Sequence, residues 1–484
     1  MTQDGFFETD VKSAGLSDIN FTVYCGTLAH TPKLGVLEVI PNAVVGVDQD
    51  GIIVFITPNA ADDPLKAVSA YDPTLSLTQV DVINTDLQNE SCFWFPGFFD
   101  THIHAPQFSN NGIFGNSTLL DWLEKYTFPL ESSFKDLSIA KEHYERVIDR
   151  TLSNGTTCAS YYATIHPLAS KLLAEIALKK GQRAFIGKVC MDKNSPDHYI
   201  ETADECKQAT LDVIDHIEKI DPEMELIAPI ITPRFAGSCT SELLKWLGDL
   251  RESKNYHCQT HINETQVEIE WILKQFPDYN TYTDIYNDHN LLSNKTILGH
   301  GIHFTEYEKD LISKIGCGVA HCPTSNSSIT SGEARIRWLL DAGINVGLGT
   351  DCSGGFTPSI LEVSKHALLV SRHLVMGSKN EKEKLTVNEC LYLATMGGAN
   401  VCKLQDKAGS FEIGKKWECQ LIDLDVQGSA LDIFDYQRPN WKENDYVEAK
   451  SKFQNLIDKW VFNGDDRNVR KVYTNGRCVV NKEY

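Results

Sequence analysis

Cys92-Phe-Trp-Phe-Pro-Gly-Phe-Phe-Asp-Thr-His-Ile-His104 places eight uncharged residues, 92–99, directly ahead of Asp100, His102 and His104. An apolar run of that length reads as a strand buried on both faces. Residues i and i+2 of a strand point to the same side, so His102 and His104 project together from its end. Two imidazoles converging there make half a site for a borderline cation such as Zn²⁺. Alone, a His-x-His is more often two unrelated polar residues where a strand meets its loop, so the pair needs partners elsewhere in the chain.

Downstream of His104 the pattern alternates between extended and helical stretches. The first strand, counted from Phe93, is followed by strands at 156–161, 184–191, 225–234, 257–262, 296–302, 318–322 and 344–349. A crossover long enough to be helical follows each of them. Eight right-handed βα units fit a closed parallel barrel, so 91–404 is predicted to be an α/β, TIM-like (β/α)8 barrel. The segment 276–294, rich in Tyr, Asp and Asn, reads as a surface insertion.

The flanks differ in texture. Between Asp18 and Leu87 the sequence reads as strand and turn throughout, with β-type runs at 21–26, 37–40, 44–48 and 52–56 and a hairpin signal at Asp50-Gly51. After Gln405 the β pattern returns at 409–413, 418–424, 469–473 and 477–480, with a helical stretch at 446–460. Neither flank alone has enough strands for a stable core, so 1–90 and 405–484 are predicted to join as one small β-sandwich module.

The chain has 484 residues, a formal net charge of -21, 42% hydrophobic and 23% charged residues. That acidity argues against sequence-independent nucleic-acid binding and against docking on anionic membranes. No uncharged apolar run approaches the roughly 18 residues of a membrane span. Residues 1–10 show no basic segment followed by an apolar one, so no secretory signal is expected. The 14 cysteines are scattered, with no Cys-x-x-Cys pair, as in a cytoplasmic protein with free, buried thiols.

In a barrel of this kind functional residues sit at the C-terminal strand ends. Polar clusters occur at five of them: His102-Ile-His104, Arg234-Phe235, His261-Ile-Asn-Glu264, Gly299-His300-Gly301 and Gly347-Leu-Gly-Thr-Asp351. Three imidazoles and a carboxylate suit Zn²⁺, with Fe²⁺ also compatible, and His102, His104, His261 and Asp351 are the expected ligands. A cation there brings the pKa of bound water toward neutrality, and Asp351 could ligate, accept the water's proton, or do both. Glu264 is placed to shuttle protons, and His300 to polarise the bound water or a developing anion. Arg234 and Gln107 offer hydrogen bonds to a heterocyclic lactam edge, and Phe235 a face for a planar ring. His321 ends the seventh strand and is expected near the pocket, whereas His143, His216, His289, His366 and Lys188 are expected to be structural. The fourth strand contains no lysine, which favours one metal over a lysine-bridged pair.

Residues 96–104, His261, His300 and 347–351 resemble the motifs of the amidohydrolase superfamily. Thr101-His-Ile-His-Ala-Pro-Gln107, Pro233-Arg-Phe235, His261-Ile-Asn-Glu264, His321-Cys-Pro-Thr-Ser-Asn326 and Gly349-Thr-Asp-Cys-Ser-Gly-Gly355 are similar to its guanine-specific deaminase branch. The resemblance implies hydrolysis of guanine to xanthine and ammonia in purine catabolism or salvage, with one zinc per subunit and usually a homodimer. It implies attack of zinc-bound hydroxide at C2. Glu264 would protonate ring N3, and Asp351 would take the hydroxide proton. Gln107 and Arg234 would read the O6/N1 edge. Open alternatives are a related deaminase of cytosine, a triazine or a nucleoside, and a non-catalytic barrel scaffold.

Overall fold

The computed structural model describes residues 21–85, 90–441 and 446–482, so residues 1–10, read above for a secretory signal, lie outside the described residues. The apolar run at 92–104 is two strands rather than one, and Gly97 is the joint. Two sheets meet at that glycine.

The N-terminal flank supplies β1 (Phe21–Lys33), β2 (Val36–Asp48), β3 (Ile53–Thr57) and β4 (Val80–Asn84). The two β-type runs at 37–40 and 44–48 form one strand, β2. A bulge opposite Gly26–Leu28 and a left-handed Asn42 absorb the irregularity between them. The Asp50-Gly51 turn joins β2 to β3 as expected. This flank is not all strand and turn, however: Pro64–Tyr71 is helical, capped by Asp63, whose carboxylate accepts from the Lys66 amide. Only Ala67 and Val68 of that helix are buried, which is too little apolar pattern to announce it.

β5 (Cys92–Pro96) completes this first sheet rather than the barrel. The barrel strands are β6 (Phe98–His104), β7 (Thr156–Tyr162), β8 (Arg183–Gly187) with the short β9 (Val189–Cys190), β10 (Ile227–Pro233), β11 (His257–Ile262), β12 (Thr296–His300), β13 (Gly318–His321) and β14 (Asn345–Leu348). They pair in parallel in the order β14-β13-β12-β11-β10-β8-β7-β6, with β9 on β10. Closure comes where β6 meets β14: the Asp351 amide donates to the His102 carbonyl at 2.8 Å, and the Thr101 hydroxyl to the Leu348 carbonyl at 2.8 Å. The α/β barrel predicted from the strand count is present. Threonines at positions 202, 240, 265 and 305 cap the helices that follow β9, β10, β11 and β12.

The C-terminal flank adds β15 (Cys419–Asp423), β16 (Val469–Thr474) and β17 (Arg477–Asn481). The first sheet runs β17-β16-β15-β5-β1-β2-β3, with β4 beside residues 21–25 on the edge of β1 that also carries β5, so both chain ends build it. Residues 409–413 do not form the expected strand. Gly409 and Gly414 both have φ +93°, and Phe411 turns in to stack on Trp417 with centroids 5.2 Å apart. Along β5 the side chains alternate: Trp94 packs against Tyr24 and Trp417, while Phe93 and Phe95 meet Trp460 of the helix Tyr446–Asn463. A buried ion pair between Arg183 of β8 and Glu418 ties barrel to module.

The segment 276–294 is not a surface insertion. It contains the helix Tyr282–Asp288, and Tyr282, Ile285 and Tyr286 are fully buried behind β11. Its tyrosines carry hydroxyls that need partners, which is why the stretch looked polar; Tyr286 donates to the His261 carbonyl at 2.9 Å. Among the described residues no helix is long and apolar enough to cross a membrane.

A Cβ on Gly97 would lie 2.2 Å from Thr157 Oγ1 and 2.4 Å from its Cγ2, against a β-branched side chain on the neighbouring strand. Gly97→Ala should therefore destabilise by about 1–3 kcal/mol. Urea unfolding checks this as a lowered midpoint at unchanged m.

Candidate metal centre and binding pocket

Five polar side chains converge at the mouth of the barrel. His102 Nε2 lies 3.3 Å from Asp351 Oδ1, His104 Nε2 lies 3.5 Å from the same oxygen, and His104 Nε2 is 3.1 Å from His261 Nε2. Ligand atoms of His102, His261, His300 and Asp351 all fall within 4.8 Å of one another. The edge of a tetrahedron around zinc with ligands at about 2.0–2.1 Å is about 3.3–3.4 Å. The three short separations, 3.1, 3.3 and 3.5 Å, are close to that edge.

Strand geometry and glycine produce this convergence. Gly299 and Gly349 make room for His102, since a Cβ at either would come within 3.0 Å of that side chain. His300 and Asp351 adopt φ +69° and +45°, left-handed values that turn the chain abruptly at the ends of β12 and β14. Hydrogen bonds set the tautomers. His261 Nδ1 donates to the Arg234 carbonyl at 2.6 Å, so its Nε2 lone pair faces the cluster. His300 Nδ1 donates to Asn326 Oδ1 at 3.0 Å. Both ring nitrogens of His102 and Nδ1 of His104 are buried without a hydrogen-bond partner among the described residues. Burial lowers the pKa of His102, His104 and His261, keeping them neutral as metal binding requires. Neutral imidazoles and a carboxylate, with unpartnered ring nitrogens gathered at such separations, fit a divalent cation.

Beside the cluster is a pocket of about 470 Å³. Gln107, Arg234, Phe235, Glu264, His300 and Asp351 all line it, as do Leu119, Trp122 and Leu123 from the segment after β6. Glu264 Oε1 accepts from the Ser331 hydroxyl at 2.9 Å, which leaves Oε2 3.6 Å from His300 Nε2. Burial raises the Glu264 pKa, against the opposing pull of His300 and Ser331. Glu268, a helix-capping residue one turn away, also lines the pocket, and burial followed by the charge of Glu264 pushes its carboxyl up to about 7. For His300, burial disfavours the cation, but Glu264 and Asp351 outweigh it and raise its pKa.

His321 does not line this pocket. It lies instead beside Ser371 and Glu383, on the face of β13 opposite Ala320, which packs inside the barrel. Lys188 is paired with Glu201, and His143, His216, His289 and His366 all lie away from the pocket.

Sequence reasoning missed Glu131, Tyr199, Ser331 and the partner role of Asn326. Glu131 is fully buried and bonds Gln107, Tyr199 and both terminal nitrogens of Arg234. It lies in a short helix, Phe128–Ser132, at no strand end, so barrel logic gives no hint of it. Ser331 follows a short helix in an irregular stretch, and no spacing links it to Glu264.

The amidohydrolase family profile matches residues 93–479. The chain belongs to the amidohydrolase family. Within that family it is similar to a probable guanine deaminase of Schizosaccharomyces pombe, at 47% identity over 94% of this chain and 83% of that one. It is 42% identical to the guanine deaminase of Dictyostelium discoideum, over 94% of this chain and 98% of the other. Among solved structures, guanine deaminase from C. acetobutylicum with bound guanine superposes with TM-score 0.82 at 31% identity, covering 95% of this chain and 100% of that one.

Metal-stripped protein should take up about one Zn²⁺ per chain. At free zinc about a thousandfold above Kd, stability should rise by about 4 kcal/mol. His261→Ala should lose most of that gain; metal analysis and thermal unfolding with and without zinc check both.

Proposed function

We propose that the protein hydrolyses guanine to xanthine and ammonia. The observation that carries this reading is the joining of a four-donor metal cluster to a pocket that holds an amide and a guanidinium opposite a buried carboxyl. The guanine deaminases it resembles over most of their length support the substrate.

We assign His102, His104, His261 and Asp351 as the residues that hold a divalent cation, with zinc favoured by the donor set and iron(II) compatible with it. Bound there, the cation supplies Lewis acidity and makes hydroxide available near neutral pH. Gln107 and Arg234 bond the O6/N1 edge of the base, and Phe235, 8% exposed, lies against the ring. Adenine is rejected because it lacks the 6-oxo acceptor and would leave those buried donors unpaired. Glu264 delivers a proton to ring N3 from Oε2, the oxygen that Ser331 leaves free. Asp351 takes the proton of the attacking water on Oδ2, which lies 3.7 Å from His300 Nε2, while Oδ1 faces His102 and His104. The proton on Asp351 then passes to the departing amine, which leaves as ammonia; N3 keeps the proton from Glu264, and the C2 hydroxyl returns its proton to Glu264 as the carbonyl forms. His300, fixed through Nδ1 by Asn326, presents Nε2 to both carboxylates and steadies the anionic character that develops between them. Free thiols, buried at every cysteine but Cys478, support a cytoplasmic setting.

Ammonia release from guanine, guanosine, adenine and cytosine, measured on protein with quantified metal, tests the assignment. Turnover should be confined to guanine; activity on guanosine without guanine would overturn it. Glu264→Gln should lower kcat by about 10²–10⁴ while retaining metal. Ser331→Ala removes a bond that favours the Glu264 carboxylate, so the Glu264 pKa rises further. The alkaline limb of the kcat/KM profile, which reports loss of the protonated Glu264 that the transfer to N3 needs, should move to higher pH.

A further inference from the structure

The reading above leaves Glu131 without a role, although its buried carboxylate accepts four hydrogen bonds, three of them from the groups assigned to read the base. Its Oε2 accepts from Arg234 Nη1 at 2.6 Å and from the Tyr199 hydroxyl at 2.7 Å; its Oε1 accepts from Gln107 Nε2 at 2.7 Å and from Arg234 Nη2 at 3.1 Å. Glu131 has no exposed surface and Arg234 is 2% exposed. The guanidinium also lies over the Phe128 ring at 5.2 Å. Gln107 is held at its other end, where Oε1 accepts from the Ser353 amide at 3.3 Å.

Two consequences follow. One carboxylate fixes both groups assigned to read the base edge, so their remaining N–H donors are aimed before a ligand arrives. The bidentate pairing also cancels the charge of Arg234 inside a low-dielectric wall, where an unpaired guanidinium would attract anions strongly. Other titratable groups within electrostatic reach of the pair are Tyr199, Tyr162, Tyr144, His166 and His104.

We propose that Glu131 is a specificity-determining residue: by neutralising Arg234 it makes the pocket select a neutral lactam and disfavour its anion. Resting on the guanine reading, this deepens it, because the product xanthine differs from guanine by an acidic ring imide in place of the amidine. A pocket with a bare Arg234 would retain xanthine once the product ionises. With Glu131 in place, ionisation gives the product no added hold.

Inhibition by xanthine, measured below and above its first ionisation, tests the proposal, with hypoxanthine, neutral over the same range, as the control for changes in the protein itself. In the wild-type holoenzyme, xanthine relative to hypoxanthine should bind no more than about threefold tighter above the ionisation than below it. Tighter binding of the anion by the wild type would overturn the proposal, and this measurement needs no variant. In Glu131→Gln the anion should gain at least about tenfold over the neutral form. Tyr199→Phe, which removes one bond from the carboxylate and leaves its charge, should raise KM without that gain. A Glu131→Gln protein that weakens xanthine and hypoxanthine alike at both pH values would show a merely structural role and overturn the proposal. If the wild type releases no ammonia from guanine, the substrate reading fails instead. Xanthine and hypoxanthine binding, followed by calorimetry, still reports on the charge.

Discussion

Asp100 sits fully inside the barrel, one residue before Thr101 and two before His102, and its carboxylate crosses the seam between the first and last barrel strands. Oδ1 accepts from the amides of Thr350 at 3.0 Å and His102 at 3.3 Å, and Oδ2 from the Thr350 hydroxyl at 2.5 Å. Burial pushes this carboxyl up to about 7, against the pull of those hydrogen bonds. Everything at the barrel mouth inherits its geometry from this seam. The backbone bond from Asp351 to His102 lies beside it, so the imidazole of one strand and the carboxylate of the other are held within 3.3 Å. A barrel left open here would separate two of the donors that the cluster needs.

The donor cluster is steadied from outside as well. His261 is held by the carbonyl of Arg234, and its own carbonyl by Tyr286. His300 and Glu264 are held by Asn326 and Ser331, which lie on one connected turn, since the Ser331 amide donates to the Asn326 carbonyl at 2.9 Å. The left-handed conformations of His300 and Asp351 persist because these bonds over-determine them. On the opposite wall, Arg234 serves two ends at once: its carbonyl orients a histidine and its guanidinium lies in the pocket.

How much of this was legible in the sequence depended on whether a residue obeyed a period. The eight barrel strands follow an alternation of buried runs and amphipathic stretches, and the strand-end rule then finds His102, His104, His261, His300 and Asp351 without further help. Glu131 and Ser331 act through space from irregular segments, and one sequence carries no signal for such a meeting. The misreadings have equally physical origins. Gly97 interrupts a run whose hydrophobicity never falters, so the pattern reads as one strand where the chain passes between two sheets. Tyr282 and Tyr286 made 276–294 look solvated, whereas their hydroxyls are paired in the core. The helix Pro64–Tyr71 buries too little to leave a stripe.

The placement of β5 between β1 and β15 also bears on how the chain is made. During synthesis β1 and β5 emerge early, while β15 follows more than three hundred residues later. Until then the Cys92–Pro96 edge, among the most apolar stretches of the chain, has no neighbour on one side. Such an edge is a template for pairing with other nascent chains. The strand that delivers two histidines to the barrel is thus continuous with the segment most exposed to misassembly, and only the arrival of the last sixty or so residues removes the hazard.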